Sequence, residues 1–189
     1  MVNTKITAYH KKMLRGLAAE ISLMEFLNVS NIGLRGRRHI AIANLLTTQD
    51  VKYSRPYLEF LSGNYLTYGT RAIQAGGSPR CRICPFGLEE SVSHVISSCD
   101  AMSEERSKLL IEYRQLCSQT KNCINFENIL EDEKLMCQFI LDPTSLNLPV
   151  RVSLNDPLVP QFFRLTRDYC FLMDKTRIRL LKEMEDNIG

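Results

Sequence analysis

The 189-residue chain has no tryptophan, and that absence alone excludes nothing. The other absences say more. No window approaches the ~18 consecutive apolar residues of a membrane span, so contact with a membrane is not expected. The opening residues, MVNTKITAYHKK, contain no apolar core of the signal-peptide kind. A secretory leader is therefore not expected, and an intracellular setting, nuclear or cytoplasmic, is. Period-two alternation is nearly absent, which argues against a sheet-based fold. There is no internal repeat and no low-complexity tract. With 44% hydrophobic and 24% charged residues, the composition excludes disordered, collagen-like and mucin-like classes. The length suffices for one domain with a real core.

Charge is unevenly spread beneath a net +3. Residues 1–80 carry 11 Lys/Arg against 4 Asp/Glu, whereas residues 100–160 carry 6 against 10. A basic N-terminal segment suits a polyanion such as nucleic acid; a solvated surface that balances the acidic stretch is the plainer reading.

The periodicity predicts a mainly α fold. Leu14, Leu17, Ala18, Ile21 and Met24 give one apolar face to a helix over 8–28. Residues 28–36 are turn-rich, and further helices are expected over 38–47, 56–62 and 65–75. Pro56 should open the 56–62 helix, and Gly63 should end it. Beyond residue 100, helices are expected from Ser103 to about Cys117, over 127–141 and over 161–186. In the last of these, Phe162, Leu165, Tyr169, Leu172, Thr176 and Leu180 form one side. The stretch 142–160, with four prolines, reads as an ordered strap. The organisation is thus a basic helical segment (1–80), a cysteine-rich unit (81–99) and a C-terminal helical segment (100–189), together one compact domain.

The most specific signal is CRICPFGLEESVSHVISSC, which spaces its ligands as Cys81-x2-Cys84-x9-His94-x4-Cys99. In a reducing compartment such spacing favours metal over disulfides, and seven cysteines leave one unpaired in any disulfide framework. Zinc takes four soft or borderline ligands in a tetrahedron, and three thiolates plus one imidazole make a closed, structural Cys3His knuckle. A lone Cys-x2-Cys would compete with a thioredoxin-like redox pair, but the expected βαβ surroundings are missing. Cys117, Cys123, Cys137 and Cys170 have no ligand spacing and read as packing or incidental thiols. His10 and His39 stand alone.

The His-x4-Cys that closes a Cys-x2-Cys, followed by Arg106, resembles the cysteine-rich C-terminal region of LINE-type (non-LTR) retrotransposon reverse transcriptases. FLNVSNIGLRGRRHIAIANLLTTQDV and RPYLEFLSGNYLTYGTRAIQAGGSPRCRIC resemble the segment before the knuckle. FILDPTSLNLPVRV and FFRLTRDYCFLMDKTRIRLL resemble the segment that ends such polyproteins, so the likeness covers about residues 20–185. It implies a mostly helical region downstream of a polymerase, with Cys81, Cys84, His94 and Cys99 on zinc. Such a region helps to hold the element's RNA and the DNA target during target-primed reverse transcription. The x9 spacer departs from the x4 of the short retroviral knuckle, so that knuckle's base-stacking habits do not transfer.

Chemistry of other kinds lacks its residues. Adjacent metal-binding carboxylates in a strand-like setting are absent, and Glu131-Asp132-Glu133 reads as a solvated helical face. A nuclease-like Pro-Asp order is reversed in Asp142-Pro143 and Asp156-Pro157, and no phosphate loop or Ser/His/Asp grouping appears. The expectation is therefore a non-catalytic, zinc-stabilised domain that binds RNA or DNA. Lys11, Lys12, Arg15, Arg35, Arg37, Arg38, Arg71, Arg80 and Arg82 are its candidate phosphate contacts. Tyr65 and Tyr68 are either base-stacking rings or core. The alternative is a zinc-stabilised protein-interaction module that docks onto the reverse transcriptase or a host partner through the apolar stripes at 14–24 and 162–180.

Overall fold

The computed structural model describes residues 26, 47–62, 65, 78–120, 126–145 and 148–187. Among these the fold is mainly helical, as expected, and there is no strand beyond an isolated antiparallel bridge between Arg80 and Glu89. The helices expected over 8–28, 38–47 and 65–75 lie outside the described residues apart from Phe26, Thr47 and Tyr65.

Helix α1 (Thr48–Leu61) starts earlier than the proline suggested. Thr47 and Asp50 form a reciprocal capping box: the Asp50 N–H donates to Thr47 Oγ1 at 3.1 Å and the Thr47 N–H to Asp50 Oδ2 at 2.9 Å. Pro56 consequently sits inside the helix, where it forfeits the bond to the Lys52 carbonyl, at a cost of about 3 kcal/mol. Tyr57, Phe60 and Leu61, all buried just after it, each contribute about 1.5–3 kcal/mol. Their burial outweighs the proline.

Helix α2 (Ser103–Gln119) follows a short 3-10 turn (Asp100–Met102), so the chain is already helical at Ser103 and Met102 takes the cap position. The single helix expected over 127–141 is two: α3 (Glu127–Leu130) and α4 (Glu133–Leu141). The break has a cause. Asp132 leaves helical dihedrals and its Oδ1 accepts from the N–H groups of Lys134 at 2.8 Å and Leu135 at 2.9 Å, capping α4. The 131–133 acids are solvated, as expected, but they form a junction and not a helical face.

Helix α5 (Val159–Asp186) is the spine against which α1 and α2 pack. Its buried side comprises Phe162, Phe163, Thr166, Tyr169, Cys170, Met173, Thr176 and Arg177. The expected stripe is thereby rotated: Leu172 is exposed, and Cys170 and Met173 take the inward places. The carbonyls that end α4 would be orphaned in the core, but Tyr57 donates to Leu141 O at 2.9 Å and Thr166 to Ile140 O at 2.6 Å. Tyr113, in contact with the Thr166 hydroxyl, also reaches Ile140 O at 3.2 Å. The 142–158 strap begins with buried Asp142, which accepts from the Thr144 N–H at 3.0 Å and hydroxyl at 2.6 Å. One buried cluster joins residues on both sides of the cysteine-rich unit, from Tyr57 and Phe60 through Ile96 to Phe139 and Phe162. None of the described helices is long and apolar enough to cross a membrane.

Candidate metal centre

The loop that carries Cys81 and Cys84 is closed at its base by two backbone bonds. The Cys81 N–H donates to Leu88 O at 2.7 Å, and the Glu90 N–H donates to Pro79 O at 2.8 Å. Gly87 turns the chain back with φ +58°, a left-handed conformation that costs a residue with a Cβ about 1–2 kcal/mol.

His94 and Cys99 are placed by a different device. Ser91 Oγ accepts from the His94 N–H at 3.0 Å and starts a helical turn. From His94 to Ser98 the turn is π-helical, and the Cys99 N–H donates to His94 O at 2.7 Å. Residues five apart would lie about 140° apart around an α-helix. The wider turn brings Cys99 back beneath His94, so both reach the cysteines of the loop.

The result is one cluster. The ligand atoms of Cys81, Cys84, His94 and Cys99 all lie within 4.8 Å of one another, and all four residues are buried. Cys81 Sγ and Cys99 Sγ are 4.0 Å apart. His94 Nδ1 meets Ser98 Oγ at 3.1 Å, whereas its Nε2 is buried with no hydrogen-bond partner. A lone pair in that position is costly unless a proton or a metal takes it. The four side chains could hold a single metal ion, with Ser98 fixing the imidazole from behind.

The same close contacts shift the protonation of the cluster's own groups. Contact with Cys99, helped by burial, pushes the Cys81 thiol up to about 12, and the same contact lowers Cys99. His94 is raised, chiefly by the sulfur of Cys81 beside it.

Around the cluster, three other elements grip the same unit. Arg106 of α2 donates from Nη1 to Cys99 O at 2.9 Å. Ser97 donates to Glu133 O of α4 at 3.0 Å, and Tyr169 of α5 donates to Ile96 O at 2.6 Å. Glu90, whose side chain is fully buried, pairs with Arg177 of α5. Tyr65 lies over the same spot: its ring stacks on Phe60 at 3.7 Å, it donates to Asp174 Oδ1 at 2.9 Å, and the Arg177 guanidinium sits 5.5 Å from its centroid. That buried place is core and denies Tyr65 to a nucleobase. No sequence pattern marks Glu90, Ser98 or Arg177 as supports of the cluster; Tyr169 reads there only as one side of a helix, and Arg106 is marked only by the family likeness.

Of the candidate phosphate contacts, Arg80 and Arg82 are exposed on the metal loop. Lys11, Lys12, Arg15, Arg35, Arg37, Arg38 and Arg71 lie outside the described residues, as does Tyr68. Cys117, Cys137 and Cys170 are buried packing residues, and Cys123 is not described. The stripe at 162–180, offered as a docking surface, is largely spent on the core, leaving Leu172 and Ile178 exposed. Residues 14–24, the other stripe, are not described. Comparison with protein-family models, curated proteins and solved structures gives no match.

Proposed function

We propose that Cys81, Cys84, His94 and Cys99 hold one zinc ion and that the chain is a non-catalytic nucleic-acid-binding domain. By its resemblance, it corresponds to the region that follows the polymerase in LINE-type retrotransposons, where the partner is element RNA, target DNA or both. The observation that carries this reading is the buried Cys3His cluster beneath a short loop whose exposed face carries Arg80 and Arg82.

The donor set suits zinc. Tetrahedral bonds of about 2.3 Å to sulfur put two thiolates about 3.8 Å apart, close to the 4.0 Å between Cys81 and Cys99. Four protein ligands leave no place for an activated water, so the ion's part is structural. Three thiolates and a neutral imidazole around a dication carry one net negative charge. Arg106, bonded to Cys99 O and favouring its thiolate, compensates that charge.

Phosphate contacts made by arginines give affinity without sequence choice, so binding should be steeply salt-dependent. The test is an anisotropy titration of RNA and single-stranded DNA against the zinc-loaded chain at two salt concentrations. The reading expects affinity to fall with salt, and Arg37→Glu with Arg38→Glu to weaken it further. Affinity independent of both would overturn it. The second reading, a module docking on the polymerase or a host protein, draws on exposed Leu172 and Ile178 of α5. It expects no such salt dependence.

A further inference from the structure

Phe86 is 70% exposed, the most exposed large apolar side chain among the described residues, and Leu88, two positions on, is 49% exposed. Burying a phenylalanine contributes about as much as burying any large apolar side chain, yet this ring sits at the outermost turn of a loop with no freedom to fold inward. Cys81 and Cys84 anchor one limb in the buried cluster, two backbone bonds close the base, and Gly87 fixes the turn. Arg80 runs along that turn: its Cδ lies 3.8 Å from where a Cβ on Gly87 would stand. The exposed charged residues of the loop are Arg80, Arg82 and Glu89, so its charge is net positive.

We propose that this tip holds an unpaired base of a single-stranded nucleic acid, with the Phe86 ring stacked on the base and Arg80 and Arg82 on the neighbouring phosphates. The proposal rests on the nucleic-acid reading above and adds the strandedness of the ligand and the place of contact. Size favours a base over a protein. A stable protein interface needs about 800 Å² a side, which a single ring and one leucine on a protruding turn do not supply. A base needs one flat apolar face, held rigid, beside cations. The loop offers those features together.

The lack of tryptophan elsewhere makes the test direct. Phe86→Trp introduces a single indole at the tip, where stacking on a base quenches its fluorescence. The zinc-loaded full chain carrying Phe86→Trp is titrated with an oligodeoxythymidylate of about 20 nucleotides and with a duplex of equal length. Quenching is expected with the single strand, at the midpoint that anisotropy gives, and little with the duplex. In parallel, Phe86→Ala should weaken single-strand binding about tenfold with an unchanged salt slope, whereas Arg80→Ala should reduce that slope by about 0.7. Equal zinc content and melting temperature in the variants confirm that the fold is intact. Binding by anisotropy with an unquenched indole, or undiminished affinity in Phe86→Ala, overturns this site and leaves the nucleic-acid reading standing. Absence of binding to either strand form overturns both.

Discussion

Of the four candidate ligands, His94 is the one whose place is unfavourable unless a proton or a metal takes up its Nε2. Three cysteines and a histidine are buried together, and the imidazole turns an unbonded nitrogen toward sulfur. That these four side chains come together was legible, because Cys-x2-Cys and His-x4-Cys are short-range patterns. Their supports were not. Ser98 behind the imidazole looks like any serine in a serine-rich stretch, and Glu90 finds Arg177 across 87 positions with no local pattern to announce it. Cys84→Ser should lower bound zinc well below one per chain and the melting temperature with it, measured by elemental analysis and calorimetry. Gly87→Ala should retain the metal and lose about 1–2 kcal/mol in a denaturant melt, since only the left-handed φ is at stake. The nearest atom to its new methyl would be at ordinary contact distance.

Among the described residues helices as elements were readable from apolar spacing, but their ends and registers were decided by single polar groups. Asp132 divides what periodicity joins, and Thr47 with Asp50 starts α1 a full eight residues before Pro56. Asp132→Ala should cost about 1 kcal/mol, read as a lower urea midpoint with an unchanged slope. The rotated face of α5 has a tertiary cause. Tyr169 keeps its expected inward place on Ile96 O, but Arg177 must also face the cysteine unit to reach Glu90, which turns Leu172 outward. The π-turn at His94–Ser98 has the same origin, since a five-residue ligand spacing does not close on an α-helix. No propensity pattern announces either adjustment.

Among the described residues the cysteine-rich unit is built into the core through its 94–99 segment, while the tip of its loop stays exposed. Helices α2, α4 and α5 each bond to it, so disturbing the site should loosen the domain. The Glu90–Arg177 pair is the deepest of these ties. Arg177→Met should cost about 3–5 kcal/mol by stranding a buried carboxylate, while Glu90→Leu with Arg177→Met should recover most of it. Alkaline stability follows from the core thiols and phenols. Burial pushes Cys117 up to about 12 and raises Tyr57, Tyr113 and Tyr169. Groups whose pKa is higher folded than unfolded stabilise fully below the unfolded value, so stability should hold to about pH 9 and fall from there toward pH 12. In the proposed function one metal ion fastens this core. Its most direct test is elemental analysis of the purified chain, paired with calorimetry before and after chelation. One zinc per chain is expected, with a melting transition that collapses when the ion is stripped. A metal-free chain that melts at the same temperature as the untreated protein would contradict it.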